Sequence, residues 1–123
     1  MTDMFDGPAE QARITDYEDD LLLVKPLEIE KDIRTAFGDA DATVSDVTVL
    51  DGDHAGREHR GMLIFQKALQ GQLSDRVGTG RMLLGRLGKG TAKAGQSPPW
   101  LFFDPTEEDR ETARAWIRQH PPF

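Results

Sequence analysis

Hydrophobic and polar positions along this chain switch between a period of two and a period near four, and each switch marks an element. Leu21 to Glu30 (LLLVKPLEIE) opens as a continuous apolar run and ends in alternation, Leu27 and Ile29 one way and Glu28 and Glu30 the other. That pattern predicts a strand bent near Pro26. In ATVSDVTVLDG, Val47 and Val49 alternate with Thr48, predicting a second strand with a bulge at Ser45 and Asp46. The turn residues DGDHAG lead into REHRGMLIFQ, a third strand in a hairpin with the second. In QKALQGQLSDRV, Leu69, Leu73 and Val77 recur every fourth position, one stripe of a short helix closed by Gly78. RMLLGRLG and SPPWLFFD return to strand character. The segment DPTEEDRETARAWIRQH predicts a last helix, with Asp104 as N-cap, Pro105 at the first helical position and Glu107 completing a capping box. Its apolar face is Ala113, Trp116 and Ile117.

Met1 to Asp20 has no period and reads as a loose acidic arm, which leaves residues 21–123 as a single domain. Five strands with a helix between the third and fourth, then a closing helix, predict a mainly β protein. The expected architecture is a five-stranded OB-fold-like Greek-key barrel, whose loops between strands one and two and between four and five bind oligonucleotides. Another small barrel or sandwich with the same strand count has the same order.

Composition narrows the class. The 123 residues, 37% hydrophobic and 30% charged, fit one soluble domain without an apolar run long enough to cross a membrane. The acidic start is unlike a secretory signal, so a cytoplasmic location is expected. With no cysteine there is no disulfide and no thiolate chemistry.

A net charge of -7 argues against a nucleic-acid partner until its distribution is considered. Between Lys67 and Gly95 stand Lys67, Arg76, Arg81, Arg86, Lys89 and Lys93 against the single acid Asp75, a local +5. Four glycines accompany them in GRLGKGTAKAGQ. This is not a phosphate loop: Gly90 separates Lys89 from Thr91, Leu83 occupies the place of the first glycine, and a strand follows. DGDHAG lacks two oxygen ligands of a calcium loop, at Ala55 and Met62. His54, His59 and His120 lack metal-ligand spacing, and no serine sits in a nucleophile elbow. No catalytic residue, metal or cofactor is expected.

Single strands are gripped by cations on phosphates and flat rings on bases. The candidate site therefore comprises Arg81, Arg86, Lys89 and Lys93 for phosphates, with Trp100 and Phe37 for stacking. In the last strand Leu101 and Phe103 are expected to face the core and Trp100 to lie outside, because Trp100 follows Pro98-Pro99 at the strand's mouth. Gly85, Gly88 and Gly90 are expected to let the backbone approach a bound strand.

The stretches VTVLDG, LIFQKALQGQL, VGTGRMLLGRLGKG and SPPWLFFDPT resemble a group of small proteins of actinobacterial phages and prophages described as OB-fold single-stranded-DNA-binding proteins. The resemblance runs from Leu21 to Ile117. It implies a non-enzymatic role in phage DNA replication or recombination. Pro122-Phe123 also resembles the Pro-Phe end of bacterial single-strand-binding proteins, although Arg118, Gln119 and His120 stand where that tail is acidic. The expected partners are single-stranded DNA, further copies of the chain, and replication or repair proteins met through Phe123, with no membrane. The alternative is a small-barrel protein-interaction module, a phage factor whose basic hairpin meets an acidic surface of a host protein.

Overall fold

β1 (Leu21–Thr35) is the longest strand, and the sheet is built outward from it in the computed structural model, which describes residues 13–120. β2 (Gly38–Val49) returns alongside it, β3 (Glu58–Ile64) pairs with β2, β4 (Leu83–Lys89) takes the other side of β1, and β5 (Trp100–Phe103) pairs with β4. All pairs are antiparallel, in the order β3-β2-β1-β4-β5, and the sheet is not closed. The described chain is thus mainly β with two helices, α1 (Lys67–Leu73) and α2 (Glu107–Gln119). Among the described residues no helix is long and apolar enough to cross a membrane.

The run LLLV is continuous because β1 is covered on both faces. Leu22 and Val24 join one core with Val47, Val49, Ile64, Leu69, Leu73, Leu87 and Phe102, under α1. Leu21 and Leu23 face the other way and pack with Leu50, Ala113, Trp116 and Ile117, under α2. Alternate side chains of a strand point to opposite faces, so one segment supplies two cores. The register slips between Pro26 and Glu28 and between Ser45 and Val47, the bend and the bulge that the sequence pattern predicts. Strand pairing of β1 and β2 runs further than the alternation, closing at Thr35 opposite Gly38.

Helix α1 ties the two sides of the sheet. Gln70 donates to the carbonyl of Asp41 on β2 at 3.1 Å, while Gln72 both donates to and accepts from the backbone of Phe102 on β5, at 2.9 and 2.8 Å. The Gln72 amide thereby occupies edge positions that another strand would take.

Two expectations need correction. The arm does not extend to Asp20: Ile14–Tyr17 form a 3-10 turn with Ile14 and Tyr17 buried in the core, and the Tyr17 hydroxyl bonds His59 Nε2. Two apolar residues in an acidic context are too few to show a period. Residues 1–12 of the expected arm lie outside the described residues. Helix α2 is capped by Thr106, not Asp104; Thr106 and Asp109 exchange side-chain bonds with each other's backbone N–H, at 3.1 and 3.0 Å. Both frames satisfy the capping-box spacing, and the later one places Asp109 beside Arg86.

Candidate nucleic-acid interface

The basic glycine-rich stretch forms the second half of β4 and the exposed loop of residues 90–99 that joins it to β5. Gly90 N–H donates to the Pro99 carbonyl at 2.7 Å and closes the loop's mouth. One step inward, Lys89 pairs with Trp100, and its ammonium stands 5.0 Å from the ring centroid. The ring is half-buried against the main core, and packing there holds it beside the cation. Lys93 lies exposed in the loop beyond.

The expected facing of β5 is reversed. Phe102 is buried and Trp100 packs on the same core, whereas Phe103 is 46% exposed. Phe102 stands opposite Leu87 in the register, and the Gln72 bonds hold its backbone there. The glycines of β4 make this possible. A Cβ at Gly85 would come within 2.8 Å of Phe102 Cβ, and one at Gly88 within 2.9 Å of Phe103 Cε2. Gly85 therefore admits the close approach of β5 at Phe102, and Gly88 the ring of Phe103, where the sequence pattern predicts that they admit a ligand.

Arg86 is occupied by its own chain. Its guanidinium meets Asp51 at 2.9 Å, Asp109 at 2.7 Å and the Asp19 carbonyl at 2.8 Å. Asp51 also accepts from Leu21 N–H at 2.7 Å, so one cation joins the start of β1, the β2–β3 turn, β4 and α2. The bond to Asp51, ahead of that to Asp109, raises the Arg86 pKa above its ordinary value. The bond from Thr106 N–H, reinforced by Arg86, holds Asp109 below the usual carboxylate range despite its burial. Such a pair is a structural clamp, and a phosphate at Arg86 would have to displace two carboxylates.

The remaining expected residues separate. Arg81 is exposed just before β4, with its N–H bonded to Thr79 Oγ1. It lies at the opposite end of β4 from Lys89, about 20 Å apart at the usual rise of a strand. Phe37 is fully exposed at the β1–β2 turn. Leu21 pairs with Arg86 and Val24 with Leu83, so β1 runs away from the Lys89 end and carries Phe37 with it. The structure thus joins Lys89 and Trp100, leaves Lys93 in the exposed loop that follows, and places Arg81 and Phe37 elsewhere. Phe123 lies outside the described residues.

Arg76, Arg110 and Phe103 share a groove that the sequence reading does not single out. Arg76 belongs to the basic segment, so charge alone gives a partial signal, but nothing in the sequence places Arg110 beside it. Among the described residues no group of histidine and acidic side chains is arranged to hold a metal ion. Comparison with protein-family models, curated proteins and solved structures finds no match to this chain.

Proposed function

We propose that this protein is a non-enzymatic single-stranded-DNA-binding protein with an OB-like, partly open barrel, acting in phage DNA replication or recombination. The strand order with β1 central, the edges β3 and β5 left unjoined, and α1 spanning from β2 to β5 support the barrel reading. The observation that carries the function is Lys89 over Trp100 at the mouth of the 90–99 loop. An exposed cation–π contact contributes about 0.5–1 kcal/mol, and a base stacked on an aromatic ring about 1–3 kcal/mol. A nucleobase therefore displaces the ammonium with net gain, and the released Lys89 meets the adjoining phosphate, with Lys93 following along the loop. Sequence-independent stacking and phosphate contacts of this kind suit single strands, whose bases are open on both faces.

One observation favours the alternative of a protein-interaction module: Leu27, Ile29 and Phe37 are exposed along the projecting β1–β2 hairpin. Fluorescence titration with oligo-dT against duplex DNA separates the readings. Binding that quenches Trp100 and is weakened in Lys89→Ala supports the DNA reading; retention of full affinity in Leu27→Ser, Ile29→Ser, Phe37→Ser confirms that the hairpin is not required for it.

A further inference from the structure

β4 begins three residues before β5 reaches it. Pairing with β5 covers Arg86 to Lys89, so the edge of β4 from Leu83 to Gly85 has no strand neighbour on that side. The chain leaves β5 at Asp104, turns through Pro105 into α2, and a groove of about 450 Å³ opens there. Met82, Leu83, Leu84 and Phe102 line it, and so does Phe103, 46% exposed.

Two arginines line the same groove, Arg76 from the turn after α1 and Arg110 from the first turn of α2. Arg76 Nη1 donates to the Gln72 carbonyl at 3.2 Å, which holds the guanidinium in place and leaves its other donors open. Among the described residues neither Arg76 nor Arg110 forms an ion pair. Among the described residues the only arginines in ion pairs are Arg86, held by Asp51 and Asp109, and Arg114, held by Glu107 and Glu111, so both guanidiniums of the groove keep donors for a ligand. Asp104 lines the groove as well, but outside ion-pair distance of either.

We infer that this groove takes one nucleotide of the bound strand, with its phosphate on Arg76 and Arg110 and its base against Phe103. The choice of ligand rests on the single-strand reading above. Guanidiniums bind phosphate oxygens in bidentate fashion, a flat exposed ring suits a base of any sequence, and the groove's volume matches a small-molecule site better than a peptide track. Phe103 is three residues along β5 from Trp100, about 10 Å, and on the opposite face, so a strand leaving the Lys89 mouth reaches the groove by passing around the edge of β5. The inference gives Arg76, Arg110 and Phe103 a role separate from that of Lys89 and Trp100, and it adds a second contact point at the far end of β5.

Titration of the full chain with thymidine 5′-monophosphate, followed by NMR of arginine Nε–H and aromatic signals, tests this directly. The nucleotide is expected to move Arg76, Arg110 and Phe103, and deoxyribose 5-phosphate to bind roughly tenfold more weakly because it has no base to stack. Arg76→Gln with Arg110→Gln is expected to weaken the nucleotide roughly tenfold or more while the fold is unchanged, since neither residue belongs to either core. Three results overturn the inference: no shift in these residues, inorganic phosphate binding as tightly as the nucleotide, or an acidic peptide occupying the groove where the nucleotide does not. The single-strand reading is tested separately by weakened oligo-dT binding in Lys89→Ala, because Lys89 lies outside the groove and the groove is read from the Arg76, Arg110 and Phe103 signals alone.

Discussion

Arg86 and Asp109 lie 2.7 Å apart, and that contact fastens the last helix to the central sheet. Asp109 is largely buried and is also the N3 residue of the α2 capping box, so one carboxylate closes the helix start and docks it on β4. Replacing Arg86 by Met keeps the stem and removes the charge, leaving Asp109 and Asp51 without it. The expected cost is about 1–3 kcal/mol, toward the lower end because the Arg86 side chain is a third exposed. Urea unfolding of Arg86→Met measures it, and affinity of the folded fraction for oligo-dT is expected to stay unchanged.

Stability is expected to depend on pH through His59. Burial first, and the charge of Arg57 second, lower its pKa below the ordinary 6.5. Above pH 6.5 the ring is neutral in both folded and unfolded chains and nothing is lost. As pH falls below 6.5 the unfolded chain takes up the proton first, so stability declines until the folded pKa is passed. His59→Asn is expected to flatten that stretch of the stability profile, measured by thermal melts between pH 7 and pH 5, roughly the range in which histidine titrates.

The two phenylalanines of β5 are expected to behave oppositely. Phe102→Ala opens the core between Leu87 and α1 and is expected to cost about 3–5 kcal/mol. Phe103→Ala removes an exposed ring and is expected to change stability by only about 0.5 kcal/mol. Equal melting temperatures for the two variants would contradict the observed facing.

Neighbouring glycines of β4 give a second contrast. A methyl at Gly85 meets Phe102 Cβ and, at 3.2 Å, the Phe103 carbonyl, neither of which moves without shifting β5. Gly85→Ala is expected to cost about 1–3 kcal/mol. At Gly88 the obstacle is the outer edge of an exposed ring that swings into solvent, so Gly88→Ala is expected to cost less than about 1 kcal/mol. Chemical denaturation of both variants decides it.

The strands and helices were legible because each carries its own period: Val47 and Val49 for β2, Leu69 and Leu73 for α1, Ala113 and Trp116 for α2. The bend at Pro26 and the bulge at Asp46 were legible from backbone chemistry and a break in alternation. Facing in β5 was not, because all four of its residues, Trp100 to Phe103, are large and apolar. Only the glycines across the hairpin and the amide of Gln72 decide between the faces, and both belong to other elements. The candidate site was legible in part for a similar reason. A run of bases reveals its charge, but not which cations are consumed internally; Arg86 and Lys89 look alike in the sequence, and only tertiary contacts bring Asp51 and Asp109 to the first. Arg110 remained hidden in an acidic helix.

The most direct test of the account is the salt dependence of oligo-dT binding, read from Trp100 fluorescence in a Trp116→Phe background. Each phosphate neutralised on a single strand adds about -0.7 to the slope of log affinity against log salt. Replacing Lys89 and Lys93 together by Ala removes two such contacts at the loop's mouth and is expected to flatten the slope by roughly 1.4. Quenching of Trp100 that saturates in the parent, with that loss of slope in the variant, is the predicted result. No change in Trp100 emission with oligo-dT at low salt, or a slope equal in parent and variant, would contradict single-strand binding at this hairpin.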